Sequence, residues 1–297
     1  MKQSFMRSRT TAIFDCWPGP VGVLSVSRKA VPTPSAKHTK CRLGKTHHTL
    51  TWHPKQMQQE PQKMAKKTYF VTGTDTGVGK TIAAAAILEA ARQLGKRTLA
   101  MKPIASGCEQ TPDGLRNEDA LMLQAAITEE LPYDAINPIA LEPAIAPHVA
   151  AQQAGKNITA QRLVGFCRGL QIRPADLMLI EGAGGWRVPL NDRETYAAVP
   201  RELGLDVVLV VPLKLGCINH AMLSAEAIRA DGLFVAGWVA NHPEEDGMSF
   251  EQDTLNYLTT HLGAPCLGVL PWLDGTPAEQ LPEVLARFLN IRPLIEI

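Results

Sequence analysis

From Thr68 onward, short runs of Val, Leu and Ile alternate with longer stretches whose apolar residues recur three or four positions apart. The runs predict strands over 68–72, 97–102, 177–180, 207–211, 233–240 and 267–270. The longer stretches predict helices over 80–94, 117–127, 147–154, 159–171, 218–230, 248–262 and 278–289. Gly95 stands just past the first helix, where a C-terminal glycine belongs. The strands are nearly continuous in apolar residues rather than alternating, as expected when helices cover both faces of a parallel sheet. The fold class is therefore α/β, and ligands of such sheets gather at the carboxyl ends of the strands. Residues 1–63 show no sustained apolar period and are rich in Ser, Thr, Pro, Lys, Arg, His and Gln. A segment of that kind cannot bury enough surface to offset its ordering entropy. The pattern predicts a disordered extension over 1–63, followed by one domain over 64–297.

Charge sharpens this division. Residues 1–67 hold 13 Lys or Arg against two acids, Asp15 and Glu60, whereas the remainder holds 17 basic and 27 acidic residues. The basic, acid-poor extension could serve as a transit peptide or a nucleic-acid arm. Its Cys41, His47, His48 and His53 could bind a metal, although their spacing fits no zinc pattern. We favour a plainer reading, in which it stands outside the working protein. A chain starting at Met64, four residues before the first strand, would be complete as a domain. The acidic body carries no broad basic face for nucleic acid. No apolar run approaches the ~20 residues that span a bilayer, so no membrane role is expected. The six cysteines, at 16, 41, 108, 167, 217 and 266, form no close pair, which fits a reducing cytoplasm.

One stretch organises the domain. Gly73-Thr74-Asp75-Thr76-Gly77-Val78-Gly79-Lys80-Thr81 lies between the first strand and an alanine-rich helix. Strand, glycine loop, Gly-Lys-Thr and helix form the context of a phosphate-binding P-loop, here with one residue more than the usual spacing. Glycines let backbone N–H groups turn inward around an anion, and the helix start adds unpaired N–H groups and its positive dipole end. Lys80 can reach the outer phosphates, and the Thr81 hydroxyl can hold Mg²⁺. The fold is thus a P-loop NTPase-type parallel sheet.

Several strand ends carry reactive groups. Lys102 closes the second strand; it could be a solvated lysine, but Pro103 and the Ser106-Gly107 turn fix the chain just beyond it. Glu181 closes the third conspicuous strand and could hold Mg²⁺ or simply reach solvent. The glycines of Gly182-Ala183-Gly184-Gly185 behind it favour a ligand approaching the backbone. Asp119, in the first turn of a helix, by itself only complements the helix dipole.

Taken in order, further stretches make a resemblance specific. They are Lys102-Pro103-Ile104-Ala105-Ser106-Gly107, Gly114-Leu115-Arg116-Asn117-Glu118-Asp119-Ala120, Glu142-Pro143 with Pro147-His148, and Glu181-Gly182-Ala183-Gly184-Gly185-Trp186. Lys214-Leu215-Gly216-Cys217-Ile218-Asn219-His220-Ala221-Met222-Leu223, Gly237-Trp238-Val239-Ala240-Asn241 and Pro271-Trp272-Leu273 complete the set. With the P-loop, the ordered set resembles the dethiobiotin synthetases from about Lys67 to the C-terminus. The resemblance implies an ATP- and Mg²⁺-dependent reaction joining CO₂ to 7,8-diaminopelargonate and closing a ureido ring, in a cytoplasmic homodimer. It implies that Gly77, Val78, Gly79, Lys80, Thr81 and Ile82 hold the ATP phosphates, with Gly182, Ala183 and Gly184 completing the nucleotide contacts. Thr81, Asp119 and Glu181 would hold Mg²⁺. Lys102 would be the active-site lysine beside Lys80, and Ser106 would contact the substrate carbamate. Asn241, His242, Pro271, Trp272 and Leu273 would surround the adenine, and Leu215 to Asn219 would close the partner's diamine site. Two positions depart from the common pattern: Gly77 replaces a frequent Glu, and His242 replaces a frequent Asp.

The main rival is a ParA/MinD-like switch ATPase. Its P-loop carries a signature lysine where this chain has Asp75, and it would want a membrane helix or a basic DNA-binding face. A corrin-pathway amidoligase would need a glutaminase domain, and a GTPase would need an Asn-Lys-x-Asp motif near Asn241.

Overall fold

The computed structural model describes residues 66–245 and 247–296; the expected extension over 1–63 and the expected start at Met64 lie outside them. Six parallel strands form the central sheet. They are β1 (Lys67–Gly73), β2 (Thr98–Met101), β7 (Leu177–Gly185), β8 (Val207–Pro212), β9 (Val235–Asn241) and β10 (Cys266–Leu270). Their order across the sheet is β10-β9-β8-β1-β7-β2. The chain leaves β1 in one direction toward β2 and later runs the opposite way through β8, β9 and β10. With crossovers of one hand, opposite directions place the connecting helices on opposite faces. The reversal occurs beside β1, so the crevice at its carboxyl end is the expected ligand site.

The P-loop springs from that point. β1 pairs with β7 from Lys67↔Leu177 to Val71↔Glu181, and the register then shifts before Gly73. Helix α1 (Lys80–Gln93) starts from Gly79, whose left-handed backbone (φ 85) favours glycine. The next helix, α2 (Glu118–Ala126), is capped by the Asn117 side chain, which accepts the Ala120 N–H at 3.3 Å. This cap sets where Asp119 projects.

The predicted strands and helices appear with shifted ends, and short elements add to them. β3 (Ile104–Ser106) pairs in parallel with β6 (Ile139–Leu141), and β4 (Glu109–Thr111) forms a hairpin with β5 (Gly114–Arg116). Short helices α3 (Tyr133–Ile136), α6 (Ala198–Leu203) and α10 (Arg292–Ile295) were not predicted. The helix expected over 248–262 begins at Glu251, because Phe250 before it takes φ 56. The last long helix contracts to Leu281–Ala286. Beneath the site, Phe70 makes edge contacts with Trp186 and Tyr196, at centroid distances of 6.1 and 5.5 Å. Gly182 rests on that floor: a Cβ there would lie 2.7 Å from the Phe70 ring, so the strand end needs glycine to pass.

Candidate active site

A cavity of about 730 Å³ opens at the carboxyl ends of β1 and β7. Gly77, Gly79, Lys80, Thr81 and Ile82 line it from the P-loop side, and Glu181, Ala183 and Gly184 from β7. Lys102, Ser106 and Asp119 also reach it. Four elements thus deliver charged side chains to one space: Lys80 at the start of α1, Lys102 just past β2, Asp119 in the first turn of α2, and Glu181 within β7.

These side chains form one connected group. The Lys102 ammonium donates to Glu181 Oε1 at 2.5 Å and to Asp119 Oδ2 at 2.6 Å. The Thr81 hydroxyl donates to the same Glu181 oxygen at 2.8 Å. Glu181 is only 1% exposed, and its second oxygen, Oε2, is buried without a hydrogen-bond partner. Burial by itself would lower the Lys102 pKa; Glu181 and Asp119 outweigh it and hold the ammonium above the usual lysine value. Burial would raise Asp119, but Lys102 reverses this and keeps its carboxyl below the usual range. Lys80 is set apart. Its ammonium donates to the Asp75 carbonyl at 2.9 Å, and burial lowers its pKa despite nearby Glu181.

A buried carboxylate oxygen with no partner fits a cation. Glu181 Oε2, Asp119 and the Thr81 hydroxyl are hard oxygen donors of the kind Mg²⁺ takes, with phosphates and waters supplying the rest. Among the described residues, no cluster of three or more His, Cys, Asp or Glu side chains could cage a metal alone.

The remaining expected residues stand elsewhere. Val78 is buried, and its carbonyl accepts the Asn241 side-chain amide at 3.1 Å. Gly182 faces the aromatic floor. Asn241, His242 and Pro271 to Leu273 lie at the carboxyl ends of β9 and β10 and do not line the main cavity. His242 instead meets Glu251 at 3.3 Å, and Trp272 is half-exposed. The geometry also adds residues that motif reasoning left without a role. Ala144, Ile145, Ala146 and Pro147 form one wall, with Val188 and Pro189 near the glycine turn. Glu142-Pro143 and Pro147-His148 belonged to the resemblance, but nothing in the apolar residues between them said that they face a ligand.

A family model described as an AAA domain matches residues 67–280. The ATP-dependent dethiobiotin synthetase BioD of Marinobacter nauticus is 83% identical over 233 residues, covering 78% of this chain and 100% of that protein. The protein of the same name from Cellvibrio japonicus is 51% identical over 233 residues, with the same shares covered. Among solved structures, a ParA family ATPase from Chlorobium tepidum covers 77% of this chain and 98% of its own, at 15% identity and a TM-score of 0.48. That likeness is too remote to bear on function.

Proposed function

The chain belongs to the ATP-dependent dethiobiotin synthetase family, and from that premise we propose how its residues share the reaction. It makes dethiobiotin with ATP, a C–N bond-forming ligase step of biotin biosynthesis. The co-reactants we assign are 7,8-diaminopelargonate and CO₂. One amine captures CO₂ as a carbamate and releases a proton. A carbamate oxygen attacks the γ-phosphorus of ATP, forming an O–P bond as the bond to ADP breaks. The second amine attacks the carbonyl carbon of the mixed anhydride, phosphate departs, a proton is released, and the ureido ring closes. No covalent enzyme intermediate is needed, so positioning and charge carry the catalysis.

The observation that supports this best is the meeting of Lys80, Lys102, Thr81, Asp119 and Glu181 at one cavity that Ser106 also lines. A carbamate and a triphosphate repel each other, and two buried ammonium groups offset that repulsion. Lys80 serves the phosphates together with the backbone of Gly77 to Ile82, and Ala183 and Gly184 close on the nucleotide from β7. Lys102 serves the reacting oxygens, and Ser106 contacts the carbamate. Thr81, Asp119 and Glu181 hold Mg²⁺, which when bound neutralises phosphate charge. The adenine lies against Asn241, His242 and Pro271 to Leu273.

The partner is a second copy of the chain. Leu215, 96% exposed just before helix α7 (Cys217–Ala230), and Leu223, also exposed, offer an uncovered apolar edge to it. The segment from Leu215 to Asn219 then reaches the other subunit's diamine. Among the described residues no helix is long and apolar enough to cross a membrane. We place the enzyme in the cytoplasm and its working domain at 64–297.

The test is turnover. Phosphate release should require the diamine and bicarbonate together, with dethiobiotin appearing in equal amount. ATP hydrolysis that ignores both would return the ParA/MinD-like reading.

A further inference from the structure

Asn241 closes β9, and its backbone is fixed from both sides. Its carbonyl accepts the Leu213 N–H at 2.8 Å, and the following N–H, of His242, donates to the Leu270 carbonyl at 2.9 Å. From this rigid point the side-chain amide reaches the P-loop and donates to the Val78 carbonyl at 3.1 Å. Both residues are buried. The contact is tight: a Cβ added to Gly79 would lie 2.3 Å from the Asn241 amide nitrogen.

The Val78–Gly79 peptide is trans, like every described peptide bond. In a trans peptide the C=O and the next N–H point in opposite directions. Holding the Val78 carbonyl against β9 therefore turns the Gly79 N–H away from β9. Gly79 lines the cavity, so that N–H belongs to the set that would face a phosphate. We infer that Asn241 is a positioning residue of the phosphate loop, in addition to any contact with the base. It fixes one peptide plane of the P-loop from two strands away and shapes the anion cradle before the nucleotide arrives. A preformed loop loses less freedom on binding, which appears as affinity for the phosphates themselves. Without the amide, the Val78 carbonyl is left buried and unpaired, and the loop must rearrange to satisfy it.

This inference rests on the P-loop holding the triphosphate, and the experiment separates the two. Mg·ATP and Mg·tripolyphosphate, which has no base, are titrated by calorimetry into the full wild-type chain, Asn241→Ala and Asn241→Val. If Asn241 positions the loop, both variants weaken tripolyphosphate by about tenfold and ATP by at least as much, any excess for ATP reporting the base contact. If ATP weakens while tripolyphosphate does not, Asn241 serves the base alone and the inference fails. Unchanged affinity for both also overturns it, while the phosphate-loop reading stands. A wild-type chain that binds neither ligand would remove that reading and this one with it. Thermal unfolding checks that each variant is folded. The β-branched Val retains side-chain bulk in the strand and decides the question if the Ala variant does not fold.

Discussion

The two ends of the proposed nucleotide site are built on different principles. At the β7 end, Lys102, Asp119, Glu181 and Thr81 form a closed set of short charge-assisted contacts around a carboxylate that is almost wholly buried. At the β9–β10 end, the groups assigned to the base are mixed: a buried Asn241, a half-exposed Trp272 and a His242 paired to Glu251. Charge aimed at reacting atoms is useful only where water cannot screen it and the groups cannot wander. A base needs only a surface to lie against. The end proposed for the reaction is therefore built around one buried carboxylate, and the end proposed for the base is partly exposed.

The largest expected effect is at Glu181, which both Lys102 and Thr81 contact. Glu181→Gln keeps the shape and removes the charge. Turnover should fall by at least ~100-fold with the unfolding transition retained. Near-normal phosphate release at limiting Mg²⁺ would reduce Glu181 to a strand-end charge and dissolve the contrast between the two ends.

Lys102→Gln sharpens the contrast within the charged end. It should lower diamine-dependent turnover by roughly 100-fold while Mg·ATP binding, read by calorimetry, stays within a few-fold. Lys80→Gln should weaken ATP binding as well. Equal loss of ATP affinity in both variants would mean that the two lysines share one role.

At the open end, Trp272→Ala should raise the KM for ATP by about fivefold and leave kcat unchanged, the signature of binding that is equal in ground and transition states. A fall in kcat of the same size would show that the base end also shapes the reacting end. The smallest effect expected is none at all: a chain beginning at Met64 should match the full chain in turnover and unfolding temperature. A large loss in either measurement would give residues 1–63 a part in the enzyme.

Legibility followed the same division. The six sheet strands could be read because buried parallel strands are written as runs such as Val207 to Val211, which contrast sharply with their surroundings. β3 to β6 were missed because three residues carry no period. The glycine half of β7 was missed because Gly182 to Gly185 look like a turn until their pairing with β1 is seen. In the site, Glu181 and Lys102 stood out as charges that end apolar strands. Asp119 did not, since an acid in a helix's first turn already has an explanation in the dipole. The Asn241–Val78 bond could not be read at all. It joins residues 163 positions apart, and each has an ordinary local role.

The place of β1 between β7 and β8 has a consequence in time. The P-loop strand is among the first parts of the domain to be synthesised, yet its neighbours on both sides come from far along the chain, with Lys67 facing Leu177 and Phe70 facing Val207. Contacts between such distant residues must first overcome the entropy of closing long loops, and they form late. A nascent chain therefore carries its phosphate loop for most of translation without the two walls that hold it. Affinity for nucleotide should arrive abruptly near the end of folding, when the sheet closes around its own first strand.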